Sequence, residues 1–287
     1  MSTAPAIAAP TGRPRELQDF IERHDRIFVL TGAGCSTGSG IPDYRDADGQ
    51  WKRAQPVTYQ AFMGEPATRR RYWARSLMGW PRFLAAQPNG VHRALAALEA
   101  RGQLSLLLTQ NVDRLHQAAG SREVVDLHGR LDVVRCMDCE RRLPRTEFQD
   151  DLIARNPGWL ELDAGIAPDG DADLEADFDA FDIPACAHCG GVLKPDVVYF
   201  GENVPRERVQ AAQHALAHSD ALLVVGSSLM VYSGFRFAQW AAKAGLPIAA
   251  LNHGRTRADD LLALKVEHDC ADALSFLLAP PPQAKVA

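Results

Sequence analysis

Four short apolar runs, each followed by small or polar residues, most constrain the fold of this chain. They are residues 26–31, 104–109, 221–226 and 247–252. Such short continuous runs indicate parallel strands that are buried on both faces. Stretches with a helical pattern lie between them, at residues 14–24, 66–86, 91–101, 206–218 and 235–244. This alternation predicts an α/β fold with a doubly wound, Rossmann-like parallel sheet.

The region from 133 to 198 interrupts the alternation. It holds two Cys-x-x-Cys pairs, an acidic tract at residues 161–182 and no long periodic segment. We therefore predict a Rossmann-like domain of residues 1–132 and 199–287, and a small inserted zinc-binding module of residues 133–198. The acidic insertion at 161–182 is expected to be a solvated loop. It is also a candidate for attracting basic, lysine-rich substrates.

Charge and hydropathy exclude several classes of protein. The net charge is −5, which argues against a chain built to bind nucleic acid. The acidic tract carries nine of the 36 acids. The rest of the chain therefore has 27 acids and 31 Lys and Arg residues, which gives it a net charge of +4. That remainder suits an anionic small ligand. No stretch reaches the roughly 18 apolar residues of a membrane span, and no secretory signal is recognisable, so we expect a cytoplasmic protein without membrane partners.

The paired cysteines predict a metal site. Cys136, Cys139, Cys186 and Cys189 form two pairs at the spacing of zinc knuckles, and two glycines follow the second pair. Four thiolates close a tetrahedral Zn²⁺ site and leave no position for water, so the zinc is predicted to be structural. A redox-active Cys-x-x-Cys pair is the alternative.

A glycine-rich segment follows the first predicted strand. Residues 31–45 read TGAGCSTGSGIPDYR, and Gly32 and Gly34 would let the backbone approach a pyrophosphate in front of a helix N-terminus. The glycine spacing differs by one residue from the dinucleotide fingerprint, so a plain tight turn is the alternative. Asp43, Tyr44 and Arg45 place a carboxylate, an aromatic ring and a guanidinium directly after it, suited to a cationic ring and a phosphate.

Polar residues also follow the other strands. Gln110, Asn111 and Asp113 follow the second strand, where a ligand crevice is expected. Asn111 and Asp113 could instead cap the next helix and offset its dipole. Ser227, Ser228 and the residues Asn252, His253 and Gly254 follow later strands, with ribose binding and turn formation as alternatives.

His128 is the candidate general base. Imidazole titrates near neutral pH, and the glycine that follows would leave room for a substrate; a structural histidine is the alternative. The apolar segment from Lys194 to Glu202 reads as an internal strand or as an edge that a bound peptide could extend.

In order, the chain carries GAGCSTGSGIPDYR, TQNVDRLH, DLHG, the two cysteine pairs, KPDVVYFGE, GSSL and LNHG. Together these seven motifs resemble the sirtuin (Sir2) family of NAD-dependent protein deacylases, and the resemblance covers residues from about 26 to 275. GIPDYR, YWARSLMGW and GSSLMVYSGFRFA are similar to its class II, lipoamidase-like branch.

The resemblance implies a role for each matched residue. It places Gly32, Ala33, Gly34, Ser36 and Arg45 at the NAD diphosphate. It places Ile41, Asp43, Asn111 and Asp113 around nicotinamide, where Asn111 is also a candidate catalytic residue beside His128, and Gln110 at the nicotinamide ribose. It places Gly226, Ser227 and Asn252 at adenosine, with Cys270 and Ala271 against the adenine. Val197, Val198 and Phe200 would contact the acyl-lysine, whose peptide adds as a strand.

The implied reaction consumes NAD. The acyl oxygen attacks the anomeric carbon as nicotinamide leaves, His128 takes a ribose hydroxyl proton so that this oxygen attacks the imidate intermediate, and water then releases lysine and O-acyl-ADP-ribose. Acyl-lysine proteins or peptides are the implied partners, and longer or branched acyl groups are candidates for preference over acetyl. Protein mono-ADP-ribosylation in the same pocket and non-catalytic NAD binding are the alternatives.

Tyr72 and Arg75 form a Tyr-x-x-Arg pair of the kind that binds acidic acyl chains; a solvated arginine is the alternative.

Overall fold

The computed structural model describes residues 11–52, 56–161, 165–166, 172–173 and 177–279. Its strands are, in chain order, β1 (Thr11–Gly12), β2 (Ile27–Thr31), β3 (Leu104–Thr109), β4 (Val124–Asp126), β5 (Gly129–Cys136), β6 (Arg142–Pro144), β7 (Gly165–Ile166), β8 (Ala172–Asp173), β9 (Leu193–Val197), β10 (Ala221–Val225), β11 (Ile248–Leu251) and β12 (Leu264–Val266). Its α-helices are α1 (Pro14–Glu22), α2 (Tyr59–Gly64), α3 (Pro66–Leu84), α4 (Gly90–Ala100), α5 (Leu115–Ala118), α6 (Arg145–Arg155), α7 (Arg206–Ala217), α8 (Tyr232–Lys243) and α9 (Cys270–Ala273).

Seven parallel strands form the main sheet, in the order β1-β12-β11-β10-β2-β3-β4. The four predicted apolar runs are the four adjacent strands β11, β10, β2 and β3, which confirms the predicted fold class. Strands β1 and β12 were not predicted, because two or three residues are too few to show a pattern. The five predicted helices all occur, with ends that differ by at most three residues.

Helices cover both faces of this sheet because its strands are apolar on both faces. Along β2, Ile27 and Val29 pack in one cluster with α1 and α4, whereas Phe28 and Leu30 pack in the other with α7 and α8. All four side chains are fully buried. Alternate residues of one strand therefore hold opposite layers of helices in place.

A second, three-stranded antiparallel sheet in the order β6-β5-β9 carries the cysteine pairs. It begins at Gly129, and the domain limits at 132/133 and 198/199 remain a prediction. The region includes the 11-residue helix α6, although its sequence shows no long periodic segment. The apolar contacts of α6 come from few residues: Phe148 and Leu152 are buried in the same cluster as Trp73 of α3. Half of the acidic insertion, 11 of its 22 residues, lies outside the described residues.

Among the residues that the structure describes, no helix combines the length and the apolar character needed to cross a membrane.

Two leucines give a direct test of this packing. Leu108 in β3 is fully buried, whereas Leu84 at the end of α3 is 57% exposed. We expect Leu108→Ala to lower the free energy of unfolding by about 2–5 kcal/mol, because it leaves a cavity in the core. Leu84→Ala, as the matched control, should change it by less than about 0.5 kcal/mol. Urea denaturation followed by circular dichroism measures both, and equal effects would contradict the described core.

Candidate active site

Three central strands end at one level and open into a single cavity. Val225 of β10 pairs with Thr31 of β2, and Thr31 pairs with Thr109 of β3. The loops after these strands line a cavity of about 640 Å³ together with residues from β9 and α8. That volume lies in the range of small-molecule sites.

The glycine-rich segment packs directly against the turn after β10. The Gly32 amide donates to the Val225 carbonyl at 3.2 Å, and the Gly34 amide donates to the Gly226 carbonyl at 2.9 Å. A Cβ at Gly32 would lie 2.8 Å from the Cβ of Ser227, and one at Gly34 would lie 2.9 Å from the Cα of Gly226. The close approach of these two loops therefore requires glycine.

The predicted helix after the glycine segment is not present. Two single 3₁₀ turns, Ala33–Cys35 and Thr37–Ser39, take its place and end at Gly40, whose φ is +82°. Glycines at positions 34, 38 and 40 weaken helix propensity in this stretch, which accounts for the difference. The segment thus lines the cavity as a tight loop, and the expected α-helix N-terminus is not part of the site.

Asn111, Ser36 and Asp113 form one hydrogen-bonded group between the loops after β2 and β3. The Asn111 amide donates to the Ser36 hydroxyl and to the Gly32 carbonyl, each at 3.0 Å, and the Ser36 hydroxyl donates to Asp113 at 2.6 Å. Burial raises the pKa of the Asp113 carboxyl, and the Ser36 hydrogen bond opposes that shift. Asn111 does not cap α5, so that part of the alternative is wrong; Asp113 accepts the amide of Leu115, the first residue of α5, at 2.9 Å.

Gln110 and Ser227 join the loops after β3 and β10 in the same way. The Gln110 side-chain amide donates to the Ser227 hydroxyl at 2.7 Å. Gly234 of α8 is pressed against this amide, since a Cβ there would lie 2.6 Å from Gln110 Oε1. The side chains of Asn252 and Ser227 are both buried where they line the cavity.

His128 lines the cavity between β4 and β5. Its Nδ1 lies 3.1 Å from the Gln110 carbonyl oxygen, and its Nε2 lies 2.7 Å from the Ser233 hydroxyl. Burial lowers the pKa of His128 to about 4; the positive charges of Arg208 and Arg236 contribute, and the bond to the Gln110 carbonyl opposes the shift. The imidazole is therefore neutral at physiological pH and can accept a proton.

The glycine after His128 has a different role from the one expected. Gly129 has a φ of +85°, and a Cβ there would lie 2.0 Å from the Asp196 carbonyl oxygen. The space beside it is occupied by the backbone of β9, so it is not open to a substrate. The glycine allows β5 to pair with β9 directly after His128, and the Val198 amide donates to the His128 carbonyl at 2.8 Å.

Strand β9 lies at the edge of its sheet, next to the cavity. Among the described strands its only sheet partner is β5, which agrees with the edge alternative for the segment from Lys194 to Glu202. Val197, Val198 and Phe200 line the cavity, and Phe200 is 37% exposed. Tyr72 is buried and also lines it, with its ring 5.6 Å from that of Tyr199.

The cavity brings together most of the predicted site residues. Those that line it are Gly32, Ala33, Gly34, Ser36, Ile41, Asp43, Tyr44, Arg45, Tyr72, Gln110, Asn111, Asp113, His128, Val197, Val198, Phe200, Gly226, Ser227, Ser228, Asn252 and His253. Asp43 forms an ion pair with Lys52 at 2.5 Å, and the Arg45 guanidinium lies 3.9 Å from the centre of the Trp51 ring.

Four predicted site residues are not among those that line the cavity. Arg75 lies on α3, where it follows Tyr72 by one helical turn. Gly254 packs against the backbone of Ala47, and a Cβ there would lie 2.3 Å from that carbonyl oxygen. Cys270 is buried at the start of α9, and Ala271 approaches Gly90 of α4.

Sequence reasoning missed several cavity residues: Trp51, Lys52, Leu131, Ser233 and Arg236. Trp51 packs edge-on against Phe200 with ring centres 5.4 Å apart, so it belongs to the wall around the predicted substrate residues. The one sequence signal for Trp51 is that it is an aromatic residue shortly after the GIPDYR motif. Ser233 and Arg236 lie within the motif GSSLMVYSGFRFA, but that motif does not indicate that they line the cavity, because a serine and an arginine at the start of a helix are common.

The four paired cysteines form one cluster. Their sulfur atoms all lie within 4.8 Å of one another; Cys136 and Cys189 are 3.5 Å apart, and Cys139 and Cys186 are 3.7 Å apart. A tetrahedral site with Zn–S bonds of about 2.3 Å places its sulfurs at about this separation. A disulfide would need about 2.05 Å, and the close contacts join different Cys-x-x-Cys pairs. The cluster fits structural Zn²⁺.

Comparison with known proteins gives a consistent match. The model of the Sir2 family matches residues 32–233. An NAD-dependent protein deacetylase of Xanthomonas campestris pv. campestris is 74% identical over 266 residues, which cover 92% of this chain and 91% of that protein. NAD-dependent protein deacetylase 2 of Bradyrhizobium diazoefficiens is 68% identical over 265 residues, which cover 92% and 97%. A solved structure described as "Sir2-p53 peptide-NAD+" is 30% identical, covers 93% of this chain and 98% of its own, and has a TM-score of 0.74.

The cysteine cluster gives a metal prediction. We expect native mass spectrometry to find about one zinc ion per chain, and Cys139→Ser to lose it because three thiolates no longer close the site. Cys35→Ala is the matched control, since Cys35 is buried beside β10 and outside the cluster, and it should keep the metal. Metal-free native protein with cysteine pairs that cycle between thiol and disulfide would support the redox alternative.

Proposed function

This chain belongs to the Sir2 family, and from that premise we propose that it is an NAD-dependent protein-lysine deacylase in which His128 is the general base. It is an enzyme of the sirtuin type, and its relatives at 74% and 68% identity are named NAD-dependent protein deacetylases. The roles of single residues and the range of acyl groups are our proposal.

NAD would lie across the ends of β10, β2 and β3. Gly32 and Gly34 leave room for the diphosphate, since their backbone is free of side chains at the cavity wall. Asn111 and Asp113, linked through Ser36, would form the nicotinamide pocket, and Ser227 and Asn252 would hold the adenosine half. NAD supplies an anomeric carbon that the acyl oxygen attacks as nicotinamide leaves, which makes it a consumed co-substrate.

The acyl-lysine peptide would add to the open edge of β9. Val197 is the last residue of β9, Val198 and Phe200 follow it, and all three line the same cavity as His128. Main-chain hydrogen bonds to an edge strand bind a peptide regardless of its sequence, while the cavity selects the modified lysine. The similar solved structure described as "Sir2-p53 peptide-NAD+" supports a peptide and NAD as the two substrates.

The state of His128 carries this proposal. The imidazole lines the cavity, is neutral at physiological pH, and donates from Nδ1 to the Gln110 carbonyl, so its lone pair is on Nε2. A group that only bound NAD would not need such a proton acceptor. His128 would take the ribose hydroxyl proton through Nε2 and so allow the ribose oxygen to attack the acyl carbon.

We further propose the class II branch and a preference for longer apolar acyl groups over acetyl. The quoted motifs support the branch, and the aromatic rings of Tyr72, Tyr199 and Phe200 along the cavity support apolar acyl chains. A carboxylate on the acyl chain would need a cation beside these rings; of the lining cations, Lys52 pairs with Asp43 and Arg45 lies over Trp51. Arg75, the candidate for that contact, is not among the lining residues.

The general base gives the first prediction of function. We expect His128→Ala to lower kcat for nicotinamide release from NAD and acetyl-lysine peptide by about 10²–10⁴-fold. His214→Ala, on the exposed face of α7, is the control and should keep activity. In the native enzyme, activity should fall as the pH drops through about 4, where His128 gains a proton, and not near 6.5. Full turnover by His128→Ala would contradict the proposed mechanism.

The acyl preference gives the second prediction. A peptide panel with acetyl, lipoyl, long-chain, glutaryl, hydroxymethylglutaryl and succinyl groups should show higher kcat/KM for the apolar chains than for acetyl. Arg75→Gln should change the ratio of succinyl to acetyl turnover by less than about twofold. A selective loss of succinyl turnover in this variant would instead assign the acyl carboxylate to Arg75.

A further inference from the structure

One contact of His128 comes from a residue to which neither the sequence motifs nor the proposed function assigns a role. Ser233 is the second residue of α8, and its hydroxyl oxygen lies 2.7 Å from His128 Nε2. It lines the same cavity. Serines in the first turn of a helix usually bond to the local backbone, but no side chain caps α8, and the hydroxyl of Ser233 reaches His128 instead.

The direction of this hydrogen bond follows from the other side of the ring. A carbonyl oxygen only accepts, so the nitrogen that faces the Gln110 carbonyl, Nδ1, carries the hydrogen. The imidazole is neutral, which leaves Nε2 with a lone pair. The Ser233 hydroxyl must therefore donate to Nε2, at the same lone pair that a general base would use.

The ring is held from both sides by elements that are locked together. Gln110, at the end of β3, provides the carbonyl for Nδ1, and its side chain bonds to Ser227. Gly234, the residue after Ser233, lies close to Gln110 Oε1, so the start of α8 packs directly against Gln110. The separation between the Gln110 carbonyl and the Ser233 hydroxyl, and with it the plane of the imidazole, is fixed by this packing.

We propose that Ser233 is a positioning residue for the general base: its hydroxyl holds the His128 ring with an unprotonated Nε2 aimed into the cavity. The inference rests on the proposed function, because it assigns a role relative to His128. A hydroxyl suits this task, since rotation about its C–O bond can turn its hydrogen away and release the Nε2 lone pair to a substrate hydroxyl. The reacting proton still goes to Nε2, and Ser233 keeps its own.

The groups around the His128 ring determine how the loss of the Ser233 hydroxyl should change the pKa of His128. Arg208 from α7 and Arg236 from α8 are the charged groups that lower the pKa of His128, beside the larger effect of burial. A donor to Nε2 stabilises the neutral ring, so it lowers the pKa in the same direction. Removing the Ser233 hydroxyl should therefore raise the pKa of His128 and move the acid limb of the pH–rate profile to higher pH.

The test compares Ser233→Ala with Ser233→Thr in the full chain, with acetyl-lysine peptide and NAD as substrates. We expect Ser233→Ala to lower kcat by about tenfold, the scale of one hydrogen bond, with KM for both substrates within about twofold of the native value. Its acid limb should lie at higher pH, and Ser233→Thr should restore both properties. Ser219→Ala is the matched control, because Ser219 also makes side-chain hydrogen bonds but does not line the cavity.

Two results would overturn the inference without touching the proposed function. One is native or faster turnover and an unmoved pH profile in Ser233→Ala, while His128→Ala is inactive. The other is a Ser233→Thr variant as impaired as Ser233→Ala. Nitrogen-15 NMR of the histidine rings adds a readout that needs no turnover: Nε2 of His128 should resonate as an unprotonated acceptor and shift in Ser233→Ala. Activity that survives in His128→Ala would instead refute the proposed function.

Discussion

The parallel register of β10, β2 and β3 is the constraint on which the site depends. Because Val225, Thr31 and Thr109 lie side by side, the three loops that follow these strands leave the sheet at the same level. Hydrogen bonds then join the loops to one another, from Gly34 to Gly226 and from Gln110 to Ser227. Gln110, Asn111 and Ser36 are each held by a side chain from the loop of a different strand, so this part of the site is organised before any ligand binds.

The cysteine module contributes to the same site from the other side. It holds β9 against β5, and the pairing begins at Gly129, directly after His128. The Val198 amide donates to the His128 carbonyl, so the strand edge that would bind peptide and the proposed base share one piece of backbone. A closed zinc site suits this arrangement, since it fixes the strand ends near Cys136 and Leu193 without taking part in chemistry.

The regular parts of the fold were predictable from local pattern. The apolar runs and the helices between them show periods that tertiary contacts do not change, and the cysteine spacing predicts its own cluster. The details that differ depend on contacts between distant residues. The 3₁₀ turns after Gly32 form against Gly226, the space at Gly129 is taken by Asp196, and Ser233 reaches His128 across 105 positions of the chain. A one-dimensional pattern has no record of such contacts, so the tight loop and the second partner of His128 were missed.

The fate of the acyl group tests the central claim most directly. The enzyme would be incubated with NAD and a peptide whose acetyl-lysine carries carbon-13 in the acetyl group, and the products would be identified by mass spectrometry. The account predicts that free lysine peptide, nicotinamide and labelled O-acetyl-ADP-ribose appear in equal amounts. Nicotinamide release accompanied by ADP-ribose attached to protein, with the label still on lysine, would contradict it and assign the cavity to ADP-ribosyl transfer.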